Sequence, residues 1–190
     1  PGPRANQTAR LRVYVVLIGQ AILLSSAAAT PRPDAAERLG RLFDAHHSRL
    51  YGLARRMTRS PEEARDAVQD TFLRAARRPQ SVPDGMPQEE AWLVRVLVNV
   101  CRDGWRKQAV RKRNDVRPEP IDCGSAESAL VAKTLVEQAL QALAPRRRAI
   151  LVMYELEGAT IPAIAKLLGI RAVTVRWHLS VGRREMARLI

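Results

Sequence analysis

The chain has 190 residues, enough for one large or two small domains. With 32 Lys plus Arg against 19 Asp plus Glu, its formal net charge is +13 and its isoelectric point lies near 11.2, the electrostatic footprint of a polyanion binder. Aromatic residues make up 4%, which excludes a broad base-stacking platform.

Two cysteines, Cys101 and Cys123, form no CxxC, and the histidines His46, His47 and His178 form no HExxH cluster. We therefore expect a reduced, cytoplasmic protein without metal or cofactor. The first 33 residues read as a separate extension. Arg4, Arg10 and Arg12 precede an apolar run over residues 13–24, broken by Gly19 and Gln20 and followed by small residues. That pattern resembles an export signal but is short for a membrane span. It fits upstream sequence from a mis-assigned start, a membrane-associating helix or a true signal. The last does not suit a chain expected to stay in the cytoplasm.

From residue 35 to 57 the apolar positions Leu39, Leu42, Phe43, Leu50, Leu53, Ala54 and Met57 follow helical spacing, with Asp34 expected as N-cap. Ser60-Pro61-Glu62-Glu63 is a capping box that opens a second helix reaching about residue 78. Its inner face is Ala64, Ala67, Val68, Thr71, Phe72 and Ala75; its outer face carries Glu62, Asp66, Gln69, Asp70 and Arg74. An acidic face in a basic protein reads either as a solvated surface with i,i+4 pairs or as a docking face for a protein. A proline-rich loop over 79–87 precedes a long helix over 88–113. That helix is apolar on most sides up to Cys101, then strongly basic, with Trp105 inside the basic end. Residues 114–125 read as a linker. Ser125 is expected to cap a helix reaching about 143, with Leu130, Leu135, Ala139 and Leu143 inward. Pro145 opens another, with Ile150, Leu151, Tyr154 and Leu156 inward and Gly158 at its end.

Residues 160–188 complete the chain as two helices around Gly169. Ile161, Ile164, Ala165 and Leu168 lie on one side of the turn, with Ile170, Val175, Leu179 and Met186 on the other. An ordinary αα-hairpin with a solvated basic face has the same spacing. The cations on the second helix also suit a recognition helix in a major groove. The expected fold is all-α: two small helical domains over 34–113 and 126–190, the second a helix-turn-helix.

In this order the motifs SPEEARDAVQDTFLRAARR, AWLVRVLVNVCRDGWRKQAVRKR, LVEQALQALAPRRRAILVMYELEGATIPAIAKLLGI and AVTVRWHLSVGRREMARL resemble the bacterial extracytoplasmic-function sigma factors. The likeness covers about residues 37–190. It implies a non-enzymatic protein that binds core RNA polymerase and promoter DNA, has no small-molecule substrate, and is often held by an anti-sigma factor. By the same resemblance, Asp66, Gln69, Asp70 and Phe72 would dock on polymerase. Asn99, Arg102, Asp103, Trp105 and Arg106 would recognise and melt the −10 element. Arg171, Thr174, Arg176, His178, Arg183 and Arg184 would read the −35 element. Three residues depart from the family pattern. Arg171 stands where a small capping residue is usual, and Trp177 and His178 replace small and basic residues, which bears on −35 preference. A stand-alone two-domain regulator binding an operator without polymerase is the alternative. A resolvase-like enzyme would need a nucleophilic Ser or Tyr, or a carboxylate cluster for metal ions; Glu62, Glu63, Asp66 and Asp70 share one helix face, but no second cluster is evident.

Overall fold

The structure, a computed structural model, describes Val13 and residues 33–114 and 128–190, with side chains over 36–107 and 134–190. The apolar N-terminal run, the linker with Cys123, and the expected cap Ser125 lie outside the described residues, as does the side chain of Leu130. Among the described residues there is no strand. Among these residues no helix is long and apolar enough to cross a membrane.

A first unit comprises α1 (Pro33–Met57), α2 (Pro61–Arg77), a 3-10 turn at Pro79–Ser81, and α3 (Met86–Asn114). Helix α1 begins at Pro33, so Asp34 falls inside its first turn and not at the cap. Ser60 caps α2 as its sequence requires: its hydroxyl accepts from the Glu63 amide at 3.1 Å. The Glu63 carboxylate accepts from the Arg59 amide at 3.0 Å, one residue ahead of the usual partner. The inner stripe of α2 packs on α1, where the rings of Phe72 and Phe43 sit 5.0 Å apart. The α2–α3 loop is held from α1. The Arg38 guanidinium donates to the carbonyls of Pro79, Val82 and Pro83 at 2.9–3.2 Å and pairs with Asp84 at 2.8 Å. One planar fork thus satisfies backbone acceptors that a proline-rich loop cannot pair within itself.

The second unit comprises α4 (Ser128–Ala142), α5 (Pro145–Leu151), a π-turn (Val152–Leu156), α6 (Ile161–Leu168) and α7 (Ala172–Leu189). The π-turn, closed by the Glu157 amide donating to the Val152 carbonyl at 3.1 Å, changes the expected phase. Ile150 to Met153 are buried in succession because α5 is surrounded by α7, α3 and α1. Leu156, expected inside, is 55% exposed beyond the widened turn. Leu135, also expected inside, is 41% exposed on α4.

The two units share one continuous apolar cluster running from Leu39 to Leu179. Polar contacts fasten the seam. Arg148, only 2% exposed, donates to the Met57 carbonyl of α1, and to the carbonyls of Gln141 and Leu143 at 2.6 and 3.0 Å. Gln141 Nε2 donates to the Thr58 carbonyl at 2.7 Å. Glu157 faces Arg49 and Arg56 at 3.6 and 3.9 Å. Burial pushes the Arg148 pKa down to about 10, which still leaves it cationic at neutral pH. Removing its side chain strands three buried carbonyls at once. Arg148→Ala should therefore lower unfolding stability by roughly 3 kcal/mol in urea titration; an unchanged midpoint would contradict the role given to this residue.

Candidate nucleic-acid interface

The helix-turn-helix is built from local signals. Thr160 accepts from the Ala163 amide at 3.3 Å and caps α6, with Pro162 in the first turn. Gly169, at φ +64°, ends the helix in the left-handed conformation, and the Ile170 amide returns to the Ala165 carbonyl at 3.0 Å. Arg171 then occupies the N-cap of α7 in extended conformation without a side-chain cap bond. Val175, Leu179 and Gly182 form the buried line of α7. Gly182 is small for a reason: a Cβ there would lie 2.4 Å from Leu151 Cδ1 and 3.1 Å from Arg147 Cγ, so α5 and α7 approach across it.

The opposite face of α7 points to solvent. Arg171, Arg176 and Arg184 are exposed on it, and among the described residues Arg171 and Arg176 have no ion-pair partner. Thr174 is half-buried. Arg183 is engaged: it bonds Glu155 at 2.8–2.9 Å and lies 5.3 Å from the Tyr154 ring. His178 is half-buried beside the ring of Trp177, and its Nδ1 has no hydrogen-bond partner. Burial lowers its pKa, and Arg147 and Arg146 lower it further, so at neutral pH it offers a neutral imidazole and no charge for a phosphate. The exposed pair Val173 and Trp177 on this face was not singled out as a site from sequence; its i,i+4 spacing beside cations was the available signal.

On the first unit, Asp66 and Asp70 are exposed one turn apart on α2, Gln69 is half-buried between them, and Phe72 is fully buried. Phe72 supports this face from inside and has no surface to offer a partner. Asn99, Arg102, Asp103 and Arg106 follow one stripe of α3 by their spacing. Asp103 is flanked by Arg102 and Arg74 at 3.7 and 3.9 Å. Trp105 is 37% exposed and lies off that stripe by its spacing. Arg95, further along the stripe, lies against the turn of the helix-turn-helix, 3.3 Å from where a Cβ on Gly169 would stand.

Asp66, Asp70, Asp103 and Trp105 line one side of a cleft of about 220 Å³ whose other wall is Gln141 and Arg148 of the second unit. The acidic face and the helix-turn-helix thus belong to one body, with the cleft between α2 and the second unit.

Cys101 lies at the same seam. Burial pushes its thiol up to about 12 from the ordinary 9.0, against the opposing pull of Arg148. That shift cuts the thiolate fraction at pH 8 by about a thousandfold. In a chain carrying Cys123→Ser, thiol labelling should be slow and should accelerate when Arg148→Ala loosens the seam. Rapid labelling of the unaltered seam would contradict this burial.

Comparison with known proteins agrees with this arrangement. The Sigma-70 region 2 family matches residues 42–111, and the Sigma-70 region 4 family matches residues 133–186. The ECF RNA polymerase sigma factor SigM of Mycobacterium tuberculosis is 33% identical over 152 residues, covering 78% of this chain and 75% of that protein. The ECF RNA polymerase sigma factor SigE of Mycolicibacterium smegmatis is 32% identical over 74% of this chain and 57% of that protein. Among solved structures, the sigma factor RpoE in complex with the anti-sigma factor NepR from Bartonella quintana aligns with a TM-score of 0.54 at 22% identity, over 78% of this chain and 93% of that one. CnrH in complex with the cytosolic domain of CnrY aligns with the same TM-score at 20% identity, over 92% of this chain and 95% of that one; both share the fold. Matches to both regions, in order, favour a sigma factor over a stand-alone regulator. The chain belongs to the extracytoplasmic-function RNA polymerase sigma factors of the sigma-70 family, proteins that direct promoter-specific transcription initiation.

Proposed function

We propose that the acidic face of α2 docks on core RNA polymerase, that the outer stripe of α3 handles the −10 element, and that α7 reads the −35 element. The observation that carries this is the pairing of two unlike surfaces in one chain. Asp66 and Asp70 form an exposed acidic pair in a protein of net charge +13, and α7 presents exposed arginines opposite its buried line. Acidic groups repel DNA and suit a protein partner; unpaired guanidinium groups suit phosphates and base edges.

Within this division, Asp66 and Asp70 supply the charges and Gln69 a hydrogen-bonding group, while Phe72 fixes the helix from inside. Asn99, Arg102 and Arg106 meet the −10 strands, with Asp103 orienting Arg102, and Trp105 is placed to cover an unstacked base once the cleft opens. Extruding a base costs a few kcal/mol, which stacking on an indole partly restores. On α7, Arg171, Arg176 and Arg184 hold the duplex, Thr174 and neutral His178 offer hydrogen bonds at its edge, and Arg183 reaches phosphate by exchanging Glu155. Polymerase supplies the chemistry of RNA synthesis. Asp66 and Asp70 are already exposed, whereas Glu63 and Ala67 of the same helix lie more buried in the cleft, so docking that covers all of this side of α2 parts the two units. We extend the partner set to an anti-sigma factor, supported by the RpoE–NepR complex among the structures of this fold.

Asp70→Arg should abolish binding to core polymerase in a pull-down while leaving the thermal midpoint within a degree or two, since the residue is exposed; retained binding would remove α2 as the docking face. Arg176→Ala should weaken promoter binding by the holoenzyme and reduce the slope of log affinity against log salt by about one counterion. An unaltered slope would place Arg176 away from the phosphates.

A further inference from the structure

Val173 and Trp177 are 60% and 55% exposed on the outward face of α7. They stand one helical turn apart, about 6 Å along the axis, close to the span of two base-pair steps of about 3.4 Å. Large apolar side chains on a DNA-facing helix lose free energy in water unless something covers them on binding. Their neighbourhood restricts what that cover is. Arg171 and Arg176 are exposed within a turn of the pair, and Arg184 and Arg188 are exposed further along α7. The one acid of α7, Glu185, is drawn off this face by Arg147 at 2.5 Å. The face therefore combines an apolar stripe with a cationic rim. An apolar protein surface would satisfy the stripe and leave the cations unmatched. A DNA major groove satisfies both, with phosphates at the rim and thymine C5-methyl groups at the floor. Thymine alone among the bases presents a methyl group there.

Trp177 is also braced. The Arg147 guanidinium lies 5.7 Å from its ring centroid, and the His178 ring meets it nearly edge-on at 4.9 Å. A side chain already held in place gives up less rotamer freedom on binding than a free one.

We propose that Val173 and Trp177 are specificity-determining residues that select thymine in the −35 element by apolar contact with its methyl group. This rests on the assignment of α7 to the −35 duplex.

The test uses the full chain with core RNA polymerase. Promoter fragments with a randomised −35 element are selected for binding, and each thymine in the selected element is then replaced by deoxyuridine, which removes the methyl and keeps the pairing. Binding should weaken about fourfold at each methyl that the pair covers, the factor expected for exposing one buried methyl group. Trp177→Ala should lose the thymine preference at the position Trp177 covers and should be indifferent to deoxyuridine there. Two results would overturn the proposal while leaving α7 as the −35 reader: no deoxyuridine effect on the wild type, or the same thymine preference in Trp177→Ala. Unchanged thymine selection by the Trp177→Ala holoenzyme, together with a weakened affinity of that variant for core polymerase, would overturn it in favour of a protein contact. Failure of the wild type to enrich any −35 sequence, with core binding intact, would instead overturn the assignment of α7 itself.

Discussion

The seam between the two helical units depends on one buried guanidinium. Arg148 leaves the second unit, takes up backbone carbonyls at the end of α1 and around the α4–α5 connection, and does so in an environment that lowers its own pKa. A buried cation is costly unless it is hydrogen-bonded, so its place depends on all of its carbonyl partners. Those partners come from both units, which couples the packing of the second unit to the geometry of residues 57 and 58. The apolar cluster around it is continuous, but an apolar surface alone tolerates sliding. The guanidinium fixes one register.

That register has consequences for every working surface of the protein. It sets Asp66 and Asp70 across a cleft from Gln141 and Arg148, places Cys101 out of reach of solvent, and rests Arg95 against the turn that precedes α7. The outward face of α7 remains open throughout. We therefore read the closed arrangement as selective: it leaves Asp66 and Asp70 exposed but limits access to the side of α2 that lines the cleft, more than to the outward face of α7. Polymerase binding would supply the free energy of separation, and only the difference in its affinity for the open and closed forms counts toward it.

Much of this was legible in the sequence, for identifiable reasons. The Ser60 box, the Thr160 and Gly169 boundaries and the buried lines of α2 and α7 all follow from short-range rules of capping and spacing, and those rules act within a few residues. The acidic face of α2 and the basic face of α7 were visible for the same reason. What escaped depends on long-range contact. Arg148 sits in a run of three arginines, and nothing local separates the buried one from its exposed neighbour Arg146. The π-turn that leaves Leu156 outside is imposed by packing on three sides of α5. Phe72, named for docking, is inside because α1 supplies Phe43 opposite it. His178 loses its charge to burial and to Arg147 and Arg146 on another helix. Trp177 was noticed as a departure from the family pattern, but its exposure, and hence its availability to DNA, is a property of the packed helix.

The most direct test of the account is promoter-specific run-off transcription by a chain in which the seam is closed on demand. Thr58→Cys and Gln141→Cys, in a Cys123→Ser background, place thiols at the two sides of the contact made by Gln141. With core polymerase, the reduced form should direct specific transcripts, and the oxidised, cross-linked form should not until reductant is added. Full transcription from the cross-linked chain would contradict the requirement that the units part. Absence of specific transcripts from the reduced chain, with core polymerase bound, would contradict the assignment of the promoter-facing surfaces.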